Sequence, residues 1–464
     1  MSTALQESRT ARLDALPFTP QHRRLLLGSG AGWALDAMDV GLVSFVLAQL
    51  AVVWSAPQSQ LSLVASASSA GMAVGAAAGG LLADRLGRRT VFALTLLVYG
   101  LATGASALAW SVTSLIVLRF IVGLGLGAEL PVASTLVSEF APPRIRGRVV
   151  VVLEAFWAVG WTLSALIGFL VVPTSDSGWR WALAIGALPA LYAAVVRTKL
   201  PESVRFLESR GRHDEAEAAV RRFERSARSA GFRPGSASGA PSASSAGGAE
   251  AAGASPAHTA PDLGAARPGV GTLFDRRFRR RTAAAWVVWF AVNFAYYGAF
   301  IWLPTILVAA GFPLVRSFGY TLIITLAQLP GYAAAAVLVE RWGRRPTLAT
   351  FLVGSSVAAA MFANSGSAGS VLVAGMLLSF FNLGAWGALY AVTPELYPTR
   401  LRGTGAGWAA GVGRIASVIA PLTVPPLREA GGTGLLFGVF AAVFVVAALG
   451  ALALPELRGT TLDE

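Results

Sequence analysis

Cysteine is absent from this chain of 464 residues. Its absence excludes disulfide bonds, thiolate metal sites and a cysteine nucleophile. Lysine is nearly absent, since Lys199 is the only one, and charged residues of both signs make up only 13% of the chain. Soluble domains carry about 25% charged residues. A chain so poor in charge does not match the composition of an ordinary soluble enzyme.

Apolar residues take the place of the missing charges. They make up 55% of the chain, and the mean hydropathy is +0.62. Uninterrupted apolar runs of roughly 20 residues recur, which is the length a helix needs to cross a bilayer core of about 30 Å. The runs predict membrane-spanning helices at about 25–50, 61–82, 91–110, 112–138, 149–173, 181–198, 283–310, 317–338, 347–365, 369–393, 404–427 and 433–454.

Two charged motifs occur twice at one separation. Asp84 is repeated by Glu340 and Glu139 by Glu395, and both separations are equal, because 340 − 84 = 256 and 395 − 139 = 256. Two independent motifs therefore indicate one duplication. The predicted fold class is an all-α polytopic membrane protein with twelve transmembrane helices in two pseudo-symmetric six-helix bundles.

The duplication divides the chain into segments. We expect an N-terminal tail at 1–24, a first bundle at 25–198, a linker at 199–282, a second bundle at 283–454 and a C-terminal tail at 455–464. Residues from about 226 to 271 are mostly Ala, Gly, Ser and Pro. Such a composition buries too little apolar surface to order itself, so we expect a disordered insert there.

Arginines supply the net charge of +13 and concentrate on one side of the predicted membrane. That side carries both termini, the linker and the repeated motifs. Positive charge accumulates on cytoplasmic loops, so we expect a protein of the inner or plasma membrane with both termini in the cytoplasm. The basic charge is then a topological signal, and no nucleic-acid partner is expected.

The repeated motifs resemble the signatures of a known family. Gly80-Leu81-Leu82-Ala83-Asp84-Arg85-Leu86-Gly87-Arg88-Arg89 is similar to the cytoplasmic signature of the major facilitator superfamily. Arg119, Glu139, Pro142 and Arg146 resemble its sugar-porter-like pattern, as do Pro201-Glu202-Ser203 and Pro455-Glu456. Asp36-Ala37-Met38-Asp39-Val40-Gly41 and Gly127-Ala128-Glu129-Leu130-Pro131 look most like bacterial niacin transporters and related organic-acid:proton symporters. The resemblance implies twelve helices and alternating access.

The charges that recur in both halves lie at predicted helix ends, where acids and guanidiniums can pair between neighbouring helices. We interpret them as a cytoplasmic gate, and the alternative is loop solvation, because surface pairs stabilise by only about 0–1 kcal/mol. The gate residues are Asp84, Arg85, Arg88, Glu139, Arg146, Glu340, Arg344, Glu395 and Arg402.

Five charges inside predicted spans have no counterpart at the 256-residue offset: Asp36, Asp39, Arg119, Glu129 and Arg414. A charge near the bilayer centre costs at least about 2.5 kcal/mol, so each is a functional candidate. Asp39 resembles the first-helix aspartate that proton-coupled sugar porters pair with a fourth-helix arginine, here Arg119. We predict proton coupling by Asp39, Arg119, Asp36 and Glu129, with a permanent structural salt bridge as the alternative for the Asp39–Arg119 pair.

Arg414 is the predicted substrate ligand, because a guanidinium fork suits a carboxylate. Related organic-anion carriers are similar in placing an arginine in this helix. Glu154 occupies the position of a sugar-binding glutamine in sugar porters, and its charge argues against a sugar. Aromatic side chains suit a flat ring beside the carboxylate. The predicted substrate residues are Arg414, Glu154, Trp157, Asn293, Tyr297, Trp386 and Tyr390.

These residues predict a secondary transporter for proton-coupled uptake of a small aromatic monocarboxylate such as niacin. We expect no cofactor, since no ATP-binding motif is present and the proton gradient supplies the energy. We also expect no metal site, no catalytic residues and a monomer in the lipid bilayer. The alternatives are a sugar or polyol:proton symporter, an exporter of cationic drugs and a transport-dead membrane sensor.

Overall fold

The computed structural model describes residues 8–232 and 270–456, and within these ranges the chain is helical and contains no strand. Short 3-10 turns at Pro143–Ile145, Val172–Thr174, Val270–Phe274 and Thr393–Leu396 join some of the helices. The helices are α1 Arg9–Asp14, α2 Pro20–Val53, α3 Gln58–Leu86, α4 Arg88–Ser106, α5 Val112–Phe140, α6 Arg146–Leu170, α7 Gly178–Ile185, α8 Leu188–Lys199, α9 Val204–Ser209, α10 His213–Ser229, α11 Arg279–Phe300, α12 Leu303–Ala309, α13 Leu314–Leu326, α14 Gln328–Arg341, α15 Arg344–Ala363, α16 Ala368–Val392 and α17 Thr399–Leu452.

Eleven helical stretches in the described ranges are long and apolar enough to cross a membrane. The last of them, Thr404–Leu452, has 49 residues. At 1.5 Å per residue it would extend about 74 Å, more than twice the hydrocarbon core. Non-helical angles at Gly431 and Gly432 (φ 65°) divide α17 there. The division gives twelve spans and confirms the predicted twelve-helix fold.

Three spans contain a break, and a proline accounts for each one. The proline ring clashes with the carbonyl four residues earlier and removes one backbone donor. Pro189, Pro304 and Pro330 lie four residues after Ile185, Phe300 and Leu326, which end α7, α11 and α13. The paired segments α7/α8, α11/α12 and α13/α14 each form one span.

The two six-helix halves repeat one packing pattern. In the first half α2 packs on α6 and α3 packs on α5. In the second half α11 packs on α17 and α14 packs on α16. The halves meet along two seams, α3 against α17 and α6 against α13. A mid-membrane region therefore lies between equivalent helices of the two halves.

Glycines allow α3 and α5 to approach closely. A Cβ atom on Gly123 would collide with the carbonyl of Ser68, and one on Gly127 would collide with the carbonyl of Met72. Small residues at such contacts let helix backbones touch in a membrane. The close contact of α3 with α5 holds Met72 and Ser68 at the edge of the central region.

We call the side of the α3–α4 loop the arginine-rich face, and the other side the opposite face. On the opposite face the halves are joined. The Arg428 guanidinium donates to Gln58 at 3.1 Å, Ser66 donates to the Val418 carbonyl at 2.9 Å, and the rings of Phe45 and Phe318 are 5.1 Å apart. These contacts block access to the central region from the opposite face.

The observed helices shift two predicted boundaries. Thr19 caps α2, which begins at Pro20 instead of residue 25. Helix α10 extends to Ser229, into the stretch predicted as an insert from 226, because Phe223 and Ala227 are buried against the bundle. Within that predicted insert, residues 233–269 lie outside the described residues.

Candidate functional site

Arg414 projects from α17 between the two halves. Its Nη1 lies 3.4 Å from the Tyr297 hydroxyl and 3.6 Å from the Met72 sulfur. Both contacts are long for hydrogen bonds. No carboxylate in the described ranges lies within ion-pair distance of Arg414. The guanidinium can therefore still donate two parallel hydrogen bonds to an anionic partner.

Glu154 lies across the central region on α6 and is 3% exposed. It is close enough to Arg414 for an electrostatic interaction, but the two form no ion pair in the described structure. The structure thus brings together the predicted acid and base and leaves a gap between them.

Aromatic side chains surround this gap. The Trp157 indole donates to the Tyr296 hydroxyl at 3.0 Å. The Trp386 ring lies 5.1 Å from that of Tyr296, 6.5 Å from that of Tyr297 and 6.4 Å from that of Tyr390. These spacings suit edge-to-face and offset packing. Helices α6, α11 and α16 therefore bring the predicted aromatic residues into one cluster.

Asn293 has a different environment from the other predicted substrate residues. Its Nδ2 donates to the Trp289 carbonyl at 2.8 Å, and the amide packs against Gly413. The structure therefore places Asn293 at the contact between α11 and α17, with its amide nitrogen bonded to the backbone of its own helix.

Two residues of α14 that are not among the predicted substrate residues join the cluster. Gln328 is fully buried within hydrogen-bonding reach of Tyr296, and both of its amide atoms lack a hydrogen-bond geometry with any described group. Tyr332 is buried nearby with its hydroxyl unpartnered among the described residues. Subtracting 256 from 328 gives Met72, so Gln328 has no polar counterpart in the other half. The search for unrepeated charges inside spans would therefore have found Gln328 if it had included uncharged polar residues.

Asp39 and Arg119 form an ion pair inside the first half. Arg119 Nη1 lies 3.0 Å from Asp39 Oδ2, and both side chains are 1% exposed. Thr103 donates to Asp39 Oδ1 at 2.5 Å, and Arg119 Nη2 donates to Thr103 at 3.2 Å. The predicted acid and base are thus paired between α2 and α5, with α4 supplying a hydroxyl to both.

A narrow crevice connects this pair with the surroundings of Arg414. Asp39 lines it on one side, and Met72 and Tyr297 line it on the other. Its volume of about 10 Å³ is room for about one water molecule. Since Met72 and Tyr297 also contact Arg414, only one layer of side chains separates the two sites.

The predicted gate residues of the first half pair mainly within that half. Arg88 contacts Asp84 at 2.8 Å and Glu139 at 3.8 Å. Arg146 contacts Asp14, the last residue of α1, at 2.9 Å. The backbone carbonyl of Arg85 accepts a hydrogen bond from an arginine that follows α9.

The second half repeats part of this arrangement. Arg344 makes a forked contact with Glu395 at 2.9 and 3.1 Å. Two nitrogens of Arg402 are buried without a partner in the described part of the chain, whereas its counterpart Arg146 has Asp14. Glu340 contacts Arg148 at 3.0 Å, and this pair joins the two halves on the arginine-rich face.

Two glutamates that follow the bundles cap helices in the same region. Glu202 accepts from the backbone N–H of Arg89 at 3.0 Å, and Glu456 accepts from those of Arg344 and Arg345 at 3.2 and 3.1 Å. Carboxylates stabilise helix N-termini, where backbone donors are free. Gly87 makes the turn before α4 with a φ of 93°.

A clamp of ion pairs holds α1 against α9 and α10. Arg9 contacts Glu208 at 3.0 Å and Glu217 at 3.1 Å, and Arg12 contacts Glu217 at 2.9 Å and Glu224 at 2.8 Å. The pKa of Glu217 is lowered to about 2, mainly by its hydrogen bond with Arg12 and further by those with its other arginine neighbours. A lowered carboxyl pKa contributes stability above about pH 4.3 that is lost as pH falls through about 2. The clamp therefore stays formed at neutral pH.

We expect Glu217→Gln to release α1 from α10. The substitution removes the shared partner of both arginines, and each half-exposed pair contributes no more than about 1 kcal/mol. Limited proteolysis with trypsin at pH 7.5 checks this prediction, with several-fold faster cleavage after Arg9 and Arg12 in the variant. Glu215→Gln is the control, because the described ion pair of Glu215 is a surface pair with Arg212 and does not involve α1. Equal cleavage rates in both variants would contradict the clamp.

Comparisons with known proteins agree on one family. The sequence model of the family described as "Sugar (and other) transporter" matches residues 29–464. The chain is 43% identical over 455 residues to the niacin transporter NiaP of Acinetobacter baylyi, covering 98% of each chain. It is 42% identical over 441 residues to the putative niacin/nicotinamide transporter NiaP of Bacillus subtilis, covering 95% of this chain and 96% of the relative. Its fold is similar to a partially occluded inward-open structure of the xylose transporter XylE from E. coli, with a TM-score of 0.73, 18% identity and coverage of 95% and 99%.

Proposed function

Because the chain belongs to the sugar (and other) transporter family of the major facilitator superfamily, we propose that it takes up nicotinate, or a closely similar aromatic monocarboxylate, together with a proton. The family makes the chain a multi-pass membrane transporter and not an enzyme. The names of the two relatives support the substrate. The observation that carries the proposal is Arg414, whose guanidinium has no ion-pair partner among the described residues and lies against Tyr297 of the aromatic cluster.

The site accounts for each part of such a substrate. The carboxylate pairs with the forked guanidinium of Arg414. The flat ring packs beside Trp157, Tyr296 and Trp386. Trp157 donates a hydrogen bond to Tyr296, and the rings of Tyr296 and Trp386 lie 5.1 Å apart. A sugar has neither a carboxylate nor an aromatic ring, and the buried charge of Glu154 near Arg414 offers it a poor environment.

The proton gradient supplies the energy in this proposal, with no bound cofactor. Protonation of Asp39 removes its charge and frees Arg119 and Thr103 to change partners. The crevice places this event beside Met72 and Tyr297, which contact Arg414. Protonation at Asp39 is thereby linked to the substrate site through the packing between the halves.

We also propose that the arginine-rich face lies in the cytoplasm. The support is the distribution of arginines between the loops. Trypsin added outside right-side-out membrane vesicles should leave the N-terminal arginines uncut. Rapid cleavage after Arg9 in intact vesicles would reverse the orientation.

Ligand-induced stabilisation of the purified protein tests the substrate. A ligand that binds only the folded state raises the unfolding temperature, and the rise grows with the ratio of ligand concentration to Kd. We expect nicotinate to raise it, and xylose and tetraethylammonium at equal concentrations to leave it unchanged. A shift with xylose alone would favour a sugar symporter, and one with the cation alone an exporter.

We expect Gln328 to distinguish nicotinate from benzoate. Its unpartnered amide can donate to the pyridine nitrogen, which benzoate lacks. One such hydrogen bond contributes about 0.5–1.5 kcal/mol, or about two- to tenfold in affinity. Gln328→Met should therefore weaken nicotinate binding by up to about tenfold and change benzoate binding little, as measured by calorimetry. The control is Gln49→Met, a buried glutamine that bonds to Ser175. Equal losses for both acids would contradict this role.

A further inference from the structure

Asp36 and Glu129 form a second buried acidic contact in the first half. Asp36 on α2 is 1% exposed and Glu129 on α5 is fully buried. The two carboxyl groups lie within hydrogen-bonding reach of each other. The Glu129 carboxyl also packs against Gly32, one helical turn before Asp36. The contact is therefore built into the packing of α2 on α5.

No donor group neutralises this contact. In the described structure none of the four carboxyl oxygens accepts a hydrogen bond from another side chain. The cation on α5, Arg119, is engaged with Asp39 and Thr103. The other titratable neighbours are Asp39, which is paired with Arg119, and the phenols of Tyr99 on α4 and Tyr192 on α8. Tyr192 already donates to the Gly28 carbonyl at 2.8 Å.

Two ionised carboxylates in contact are strongly disfavoured in such surroundings. Burying one unpaired carboxylate is already costly, and a like charge beside it adds repulsion. A single proton removes the repulsion and gives the remaining carboxylate a hydrogen-bond donor, because the O–H of one carboxyl then donates to the oxygen of the other. Aspartic proteases hold a shared proton between two carboxyls for the same reason.

Tyr99 supplies an independent observation. Its hydroxyl is fully buried beside Asp36 and meets hydrogen-bond geometry with no described group. When the shared proton leaves, this O–H can rotate to donate to the Asp36 carboxylate. The site therefore offers a partner to Asp36 in both the proton-bound and the proton-free state.

We propose that Asp36 and Glu129 form a second proton-binding site, separate from the Asp39–Arg119 pair. Its occupancy follows from the contact itself, whereas its part in transport rests on the proposed function. One proton moves from water to a carboxylate oxygen, forms an O–H bond, and is released as a proton on the other side. With the proton on Asp39, two protons accompany each nicotinate, so one net positive charge crosses the membrane per cycle.

Infrared spectroscopy of the purified full-length protein tests the site without transport. We expect a protonated-carboxyl stretching band in the unmodified protein that is lost in Glu129→Gln and in Asp36→Asn. In either variant the new amide donates to the remaining carboxylate, so the fold is retained. Glu429→Gln, at an exposed position on the opposite face, is the control and should keep the band. Identical spectra for all four proteins would overturn the site.

Potential-driven uptake tests the role in transport. With equal pH on both sides of proteoliposomes, an inside-negative potential of about −60 mV should raise nicotinate accumulation about tenfold for one net charge. Glu129→Gln should lose this dependence and keep uptake driven by a pH gradient. Potential-independent uptake by the unmodified protein would overturn the second coupled proton. An absence of nicotinate uptake, with the infrared band present, would overturn the proposed function and leave the proton site standing.

Discussion

Replacing Arg414 by glutamine is expected to lower nicotinate uptake about 100-fold. A forked pair between guanidinium and carboxylate consists of two charge-assisted hydrogen bonds, each contributing about 1.5–3 kcal/mol. Losing about 3 kcal/mol corresponds to about 100-fold in affinity. The side chain has only long contacts with Tyr297 and Met72, so its removal disturbs the fold little. Initial rates of labelled nicotinate uptake into proteoliposomes measure the effect.

Two further variants sharpen this measurement. Arg414→Lys keeps the charge and loses the fork, so uptake should be intermediate. Arg428→Gln removes another arginine of α17, whose described partner is Gln58 on the opposite face, and should retain most of the uptake. Uptake by Arg414→Gln equal to that of Arg428→Gln would refute Arg414 as the carboxylate ligand.

Neutralising Asp39 is expected to abolish accumulation against a gradient while leaving exchange intact. Asparagine can still bond to Thr103, but it cannot carry a proton between the two faces. Removing one partner of a buried ion pair costs about 3–5 kcal/mol, because Arg119 is left uncompensated. We therefore pair Asp39→Asn with the double variant Asp39→Asn/Arg119→Gln, which leaves no unpaired charge.

Counterflow and concentrative uptake separate the two effects. Both variants should exchange external labelled nicotinate for internal unlabelled nicotinate and should fail to concentrate it under an inward proton gradient. The control is Glu429→Gln, which removes an exposed glutamate on the opposite face. Concentrative uptake by the double variant at the unmodified rate would show that the pair is only structural.

Much of the fold was predictable from the sequence because a bilayer demands long apolar helices, and the 256-residue repeat fixes how they group. The breaks within three spans were also open to prediction, since Pro189, Pro304 and Pro330 stand four residues after them. Proline alone does not decide, because Pro421 and Pro425 lie inside α17 without a break. Inside a membrane, neighbouring helices can satisfy the backbone groups that such a proline leaves without a hydrogen bond.

The site was predictable only in part, because some of its contacts join residues that are far apart in the sequence. Charges inside apolar spans are conspicuous, so Asp39, Arg119 and Arg414 could be singled out. Their roles stay predictions. The contact of Asp36 with Glu129 joins residues on α2 and α5, and it depends on how closely Gly32 lets these helices approach. Gln328 carries no charge, so a rule based on charge alone missed it.

Concentrative uptake tests the central claim most directly. The purified protein is placed in proteoliposomes with labelled nicotinate, and uptake is followed with an inward proton gradient, without one, and with a protonophore. The structure and the relatives lead us to expect accumulation above the external concentration only with the gradient, and its collapse when the protonophore is added. Equal accumulation under all three conditions would contradict proton-coupled nicotinate uptake.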